Sequence, residues 1–123
     1  MEQNLSGKVN EFLRRLEAYD FAGAQKMCTE KAIVWENDGE AEQVIDERLD
    51  QFRSFVATVD SMRYDVIRQF RNSDEVLQQQ VLHLVKTDGS RSEIQAFVHF
   101  RFESGLIDRI EEYHYTAPAG EAP

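Results

Sequence analysis

The stretch FVHFRFESGLIDRIEEYHY, Phe97 to Tyr115, decides the reading of this chain. It reads as two long strands folded back on each other at Glu103-Ser104-Gly105. On the first, Ala96, Val98, Phe100 and Phe102 alternate with Gln95, His99, Arg101 and Glu103, the period-two pattern of a half-buried antiparallel strand. The even positions are expected to face a core. On the second strand Ile107 and Ile110 can share that face only if one extra residue is taken up near Asp108 or Arg109, which is what a β-bulge does. Glu112 then points inward as well. A carboxylate on the concave side of a small curved sheet is either a pocket residue or a costly burial, because an unpaired charge out of water is strongly disfavoured.

Upstream of this hairpin the period is also two. Met62, Tyr64, Val66 and Phe70 read as one face of a strand whose other face carries Arg63, Asp65, Gln69 and Arg71, and Arg68 falls on the apolar face. The turn Asn72-Ser73-Asp74 leads into Glu75 to Lys86, where both faces carry apolar residues. A two-residue loop at Asp88-Gly89 would put His83 inside, whereas a three-residue loop brings Gln78, Gln80 and Leu82 inside. The second is favoured, since it also pairs Tyr64, Val66 and Arg68 consistently across the preceding turn. Before the strands the spacing is helical. Leu5, Val9, Phe12, Leu13 and Leu16 recur at three- and four-residue steps, predicting an amphipathic helix that ends near Tyr19. Asp20 is placed to cap a short second helix burying Phe21, Ala24, Met27 and Cys28. Ala32 to Trp35 predicts a short first strand closed by Glu36-Asn37-Asp38-Gly39, and Glu40 to Val59 predicts a third helix, the longest. The expected class is α+β, with three N-terminal helices followed by a four-stranded antiparallel sheet and one short strand between the second and third helices.

At 123 residues the chain is expected to form a single domain over 1–116, with Ala117 to Pro123 as a flexible tail. Twenty-three acidic against fourteen basic residues give a formal charge of −9, which repels phosphate backbones and anionic lipid headgroups. No nucleic-acid or membrane partner is expected. Cys28 is the single cysteine, so neither an intrachain disulfide nor a thiolate cluster can form, and it is expected to be a packed core thiol. The N-terminal residues lack an apolar signal-like run and no stretch approaches the about 18 apolar residues of a membrane span, so a cytoplasmic location is expected.

The order of elements, with the segments IVWEN (Ile33 to Asn37) and GLIDRIEEY (Gly105 to Tyr113), resembles the SnoaL-like and ketosteroid-isomerase-like branch of the nuclear-transport-factor-like superfamily. The resemblance implies an α+β cone, in which a strongly bent, mostly antiparallel sheet wraps three helices around a small-molecule pocket, and homodimers formed through the outer sheet face. Against the ketosteroid isomerases, Phe12 stands where a tyrosine donates to the oxyanion, Val98 where a protonated acid does, and the base falls on or next to Glu36. Both donors are therefore missing, and with them the electrostatic stabilisation that dominates such enolisations. Against the limonene-epoxide hydrolases, Trp35 and Asn37 resemble the tyrosine and asparagine that hold a water and Glu112 replaces an aspartate. Gln80 and Leu82 stand where that family has an arginine and a second aspartate, unless Arg68 substitutes from the neighbouring strand. SnoaL-like cyclases and dehydratases, which need one acid-base residue and a shaped apolar cavity, are the comparison that survives.

Glu112 is the expected catalytic group, since enclosure by Val98, Phe100 and Ile110 would raise its pKa toward the range useful for acid-base work. The alternative is a structural pair with Arg68 or Arg109, or exposure to solvent. Trp35, Asn37, Tyr64, Arg68, Gln80, Val98 and His114 are the expected lining of a ligand site, with His114 at its rim. No metal is expected, because His83, His99 and His114 lack a close ligand spacing, and no cofactor motif is present. Phe97, Val81 and Val85 together would expose an apolar patch suited to a symmetric dimer. Two functions follow: a proton-transfer enzyme of cyclase, dehydratase or isomerase type acting on a hydrophobic carbonyl- or hydroxyl-bearing small molecule, or a non-catalytic ligand-binding or dimerisation domain on the same scaffold.

Overall fold

The computed structural model describes residues 4–116, and the expected tail lies outside them. Helix α1 (Leu5–Glu17) is capped by Asn4, whose side chain accepts from the Gly7 N–H, and it buries the expected stripe of Leu5, Val9, Phe12, Leu13 and Leu16. Asp20 caps α2 (Phe21–Lys26) in the same way through the Gly23 N–H. No helix among the described residues is long and apolar enough to cross a membrane.

The strands are β1 (Cys28–Glu36), β2 (Gln43–Val44), β3 (Val59–Arg71), β4 (Glu75–Lys86), β5 (Arg91–Glu103) and β6 (Leu106–Thr116), with α3 (Ile45–Val56) between β2 and β3. They form one curved, unclosed sheet in the order β2-β1-β6-β5-β4-β3. Strands β3 to β6 make the expected antiparallel meander, and β1 extends it by pairing parallel to β6. No local turn links β1 to β6, so nothing in the sequence near either strand announced that pairing. Cys28 begins β1 instead of ending α2, and it is buried as expected, with burial pushing its thiol up to about 12. The third helix is shorter than its spacing predicted and is not the longest: Gln43 and Val44 pair with Val34 and Ile33 as a strand, and Val59 already belongs to β3.

Both hairpins that set the inner face are as the sequence implies. Ser104 and Gly105 both have positive φ, the two-residue turn whose twist suits a tight hairpin. Between β4 and β5 the Lys86 N–H donates to Ser90, enclosing the three residues Thr87, Asp88 and Gly89. That loop length turns Gln78, Gln80, Leu82 and Leu84 inward and His83 outward. In β6 the register slips by one at Asp108, between the pairs Arg101–Arg109 and Phe102–Ile107, so Ile107, Ile110 and Glu112 share the inner face. Two slips in β3 were not expected, one at Asp60 between the pairs Val59–Lys86 and Ser61–Val85 and one at Ile67. Ile67 is the extra residue between the pairs Val66–Gln80 and Arg68–Gln79, and it reverses every side chain that follows. Arg68 and Phe70 therefore lie exposed on the outer face, and Gln69 turns inward.

Candidate functional site

Where the helices leave the sheet uncovered, a cavity of about 420 Å³ opens on the concave side. Its walls are mostly apolar, with Phe12, Leu16, Leu49, Phe52, Val98 and Phe100 among them. Polar groups enter from three sides: Glu36 at the end of β1, Glu112 and His114 on β6, and Tyr64 and Gln80 from β3 and β4, with Arg48 of α3 facing them.

Glu112 stands beside Glu36 because the two are register partners across the parallel β1–β6 pair. Arg48 Nε donates to Glu36 Oε2 at 2.7 Å, and the Arg48 guanidinium lies over the Phe52 ring at 5.6 Å from its centroid. His114 Nε2 is 3.3 Å from Glu36 Oε1, within ion-pair distance, yet misaligned for a hydrogen bond, and it is buried without another partner. Burial raises the pKa of Glu112, and the Glu36 charge raises it further, against smaller opposing effects of His114 and Arg48. Tyr64 is buried, and its phenol is likewise pushed up by burial and by the Glu112 charge, so it remains a hydroxyl donor. The cavity thus holds a carboxyl biased toward its neutral form beside a carboxylate fixed by an arginine.

Five of the expected residues meet here: Glu112, Tyr64, Gln80, Val98 and His114. Three do not. Trp35 lies on the outer face, its ring centroid 5.0 Å from that of exposed Tyr113, because Val34 takes the inward position of β1. Asn37 is a clamp: its Nδ2 donates to the His114 carbonyl at 3.2 Å, its Oδ1 accepts from the His114 N–H at 3.0 Å, and its own N–H donates to the Glu112 carbonyl. It holds the end of β6 in place without lining the cavity. Arg68 is turned away by the Ile67 bulge, and neither it nor Arg109 pairs with Glu112; Arg109 binds Glu42 and Glu111 instead. Arg48 was missed, although it follows Ile45 by three and precedes Phe52 by four, the spacing of the buried stripe. Glu36, Glu112 and His114 also present one ligand atom each within 4.8 Å of one another, a grouping that histidine spacing alone does not reveal. Arg48 already balances the charge on Glu36 in that group.

A family profile described as a SnoaL-like domain matches residues 9–110. The chain belongs to the SnoaL-like family. No curated protein matches it in sequence. Among solved structures it is similar to an epoxide hydrolase of the limonene-epoxide-hydrolase-like type from M. tuberculosis (18% identity, 88% of this chain and 80% of that one, TM-score 0.74). It is similar also to PrhC from Penicillium brasilianum (12% identity, 90% and 80% covered, TM-score 0.82). A third is a SnoaL-like polyketide cyclase, so described, from Shewanella putrefaciens (8% identity, 93% and 91% covered, TM-score 0.79). At these identities the likeness is one of fold: the nuclear-transport-factor-like α+β cone.

Proposed function

We propose that this SnoaL-like domain is a small-molecule enzyme that transfers protons on a hydrophobic substrate bearing a carbonyl or hydroxyl group, as a cyclase, dehydratase or isomerase. The observation that carries this reading is Glu112, a carboxyl biased toward its neutral form on the wall of an apolar cavity beside the Glu36–Arg48 pair. A neutral carboxyl donates its proton to a substrate oxygen and, once ionised, takes one back from carbon or oxygen, so a single residue serves both half-steps. The apolar walls exclude water and strengthen each polar contact made inside. Tyr64 adds a second hydroxyl on the same cavity. A screen of polyketide-like, terpenoid and steroid-like compounds by thermal shift finds binders, because a ligand of the folded state raises its Tm. With such a compound, Glu112→Gln is expected to lower turnover by about 100-fold or more while binding persists, in line with the usual contribution of a general acid or base; wild-type turnover in this variant would end the assignment.

A second reading is a ligand-binding domain without catalysis, favoured by Phe12 and Val98, apolar groups where the isomerases resembled have oxyanion donors. Binders that neither protein converts would support it. The same proposal includes a symmetric dimer through the outer sheet face, but not through the expected patch, since Val81 is buried and Val85 only half-buried; it is supported instead by Phe97, Tyr113 and Tyr115, each half exposed or more on neighbouring strands. Sedimentation is expected to give a dimer at micromolar concentration and a monomer for the double variant Phe97→Lys, Tyr113→Lys; a wild-type monomer would refute it.

A further inference from the structure

The inner face of the sheet carries a chain of glutamines that nothing in the proton-transfer scheme requires. Gln69 Nε2 donates to Gln78 Oε1 at 2.7 Å, and Gln78 Nε2 donates to Gln80 Oε1 at 2.8 Å. Gln78 is wholly buried and Gln80 is 5% exposed. Burying amides in an apolar core is costly unless each is hydrogen-bonded, and two of the three are held on both sides or at the chain's start. Gln80 is the end of the run. Its oxygen is taken, it lines the cavity, and no acceptor among the described residues receives its Nε2 protons. Successive amide hydrogen bonds polarise one another in the same direction, so the terminal N–H groups are the strongest donors of the three.

The register says what this donor faces. Gln78 pairs with Val98, which pairs with Glu112, and Gln80 pairs with Ala96, which pairs with His114. The amide and the carboxyl therefore stand on β4 and β6 with only Ala96 and Val98 of β5 between them. Gln80 is level with His114, so it and Glu112 are two strand spacings apart across β5 and two residues apart along the strands, about 12 Å at the backbone and less at the side-chain ends of a concave face.

We infer that the glutamine chain Gln69–Gln78–Gln80 is a preoriented donor for a carbonyl oxygen of the ligand, with Gln80 as the binding group and Gln78 and Gln69 as positioning residues. Resting on the reading of the cavity as a substrate site, this narrows the substrate to a carbonyl compound lying across Ala96 and Val98. Its carbonyl oxygen is at Gln80, and the atom that exchanges a proton is at Glu112.

The test is binding, and it does not depend on turnover. Titration of the full chain with 2-decalone is compared with 2-methylenedecalin, which has the same shape with carbon in place of oxygen, and with 2-decalol, while the Gln80 side-chain amide is followed by NMR. The ketone is expected to bind about fivefold or more tightly than the methylene compound, the worth of one neutral hydrogen bond, and to move the Gln80 amide signals. Gln80→Met is expected to erase that preference. Gln78→Met is expected to shift the Gln80 amide signals before any ligand is added and to halve the preference or worse, whereas Glu112→Gln keeps it. A protein that binds all three bicycles equally, or prefers the alcohol because the chain runs the other way, overturns the glutamine assignment and leaves the proton-transfer reading standing. If none binds at millimolar concentration, the glutamine assignment falls, and the proton-transfer reading is decided by the wider thermal-shift screen. Because Tyr64 and Glu112 are donors on the same cavity, the preference is assigned to Gln80 by the wild-type amide shift that the ketone causes and the methylene compound does not, a readout that needs no variant; a ketone preference without that shift overturns the assignment.

Discussion

The same four strands, β3 to β6, build two faces that handle charge in opposite ways. On the convex face His83 sits between Asp65 at 2.9 Å and Glu93 at 3.1 Å, and His99 between Glu75 at 2.7 Å and Glu111 at 3.7 Å, all with water at hand. Hydrogen bonds there hold Asp65 and Glu75 below the usual carboxylate range, the first chiefly through Arg63 and the second through Asn72 and then His99. On the concave face Glu112 has apolar neighbours and a like charge, and its pKa moves up. One face thus pushes an acidic side chain toward its ionised form and the other toward its neutral form, and the second direction is the one that suits a proton donor. Which face a carboxylate occupies is set by a single bulge in β6, since slipping the register by one residue exchanges the two sets.

The largest expected contrast between the faces is in packing. Phe100 is 2% exposed, edge-on to Phe12 with ring centroids 6.2 Å apart, and Phe100→Ala should cost about 3–5 kcal/mol in denaturant unfolding. Tyr113, 59% exposed, should cost within about 0.5 kcal/mol when changed to alanine and measured well below any dimerisation concentration. Equal costs would mean that the convex aromatics are packed in the monomer and that the faces are not distinct in the way described.

How much of this was legible in the sequence follows from how each feature is encoded. Alternation along β5 and the helical spacing of Leu5 to Leu16 are repeated signals, so one odd residue does not corrupt them. The Asp108 bulge was legible because Ile107 and Ile110 are the wrong parity for one face without it, and the inward turn of Gln80 because it follows from a three-residue loop. The Ile67 bulge was not, since Val66 and Ile67 are adjacent apolar residues and either one satisfies an inner position. That ambiguity carried Arg68 to the wrong face, and the run Ile33-Val34-Trp35 did the same for Trp35. Glu36 and Arg48 reach Glu112 through the parallel β1–β6 pair and the placement of α3, both long-range consequences of assembly that no local pattern expresses.

A middle-sized effect sharpens the contrast by its sign. The folded-state pKa of Glu112 is raised, so the folded protein holds this proton more tightly than the unfolded chain, and its contribution to stability is present below the unfolded pKa and lost as pH rises through the folded value. Glu112→Gln keeps the neutral shape without the ionisation. Its Tm should therefore match that of the wild type near pH 4 and exceed it by a few degrees at pH 8. A variant that is less stable than the wild type at pH 8 would mean that the carboxylate is solvated or paired after all, removing the basis for its role as an acid.

The smallest expected effect is on the other face, where His99→Gln removes the group between Glu75 and Glu111. These side chains reach solvent, the pair is screened by salt, and water takes over whatever the imidazole gave up, so the unfolding midpoint at pH 7 should stay where it is within the scatter of ordinary surface changes. Because Glu75 has a lowered pKa, any small loss should appear only above its unfolded pKa and vanish as pH falls through the folded one, the reverse of the Glu112 dependence. Opposite pH trends in two single variants of one sheet would show the two faces acting as two solvents for the same kind of carboxylate. A His99→Gln variant that tracks Glu112→Gln instead would place the convex cluster out of water, as burial in a subunit interface would, and repeating the scan at a concentration where sedimentation shows only monomer separates that cause from burial within the monomer itself.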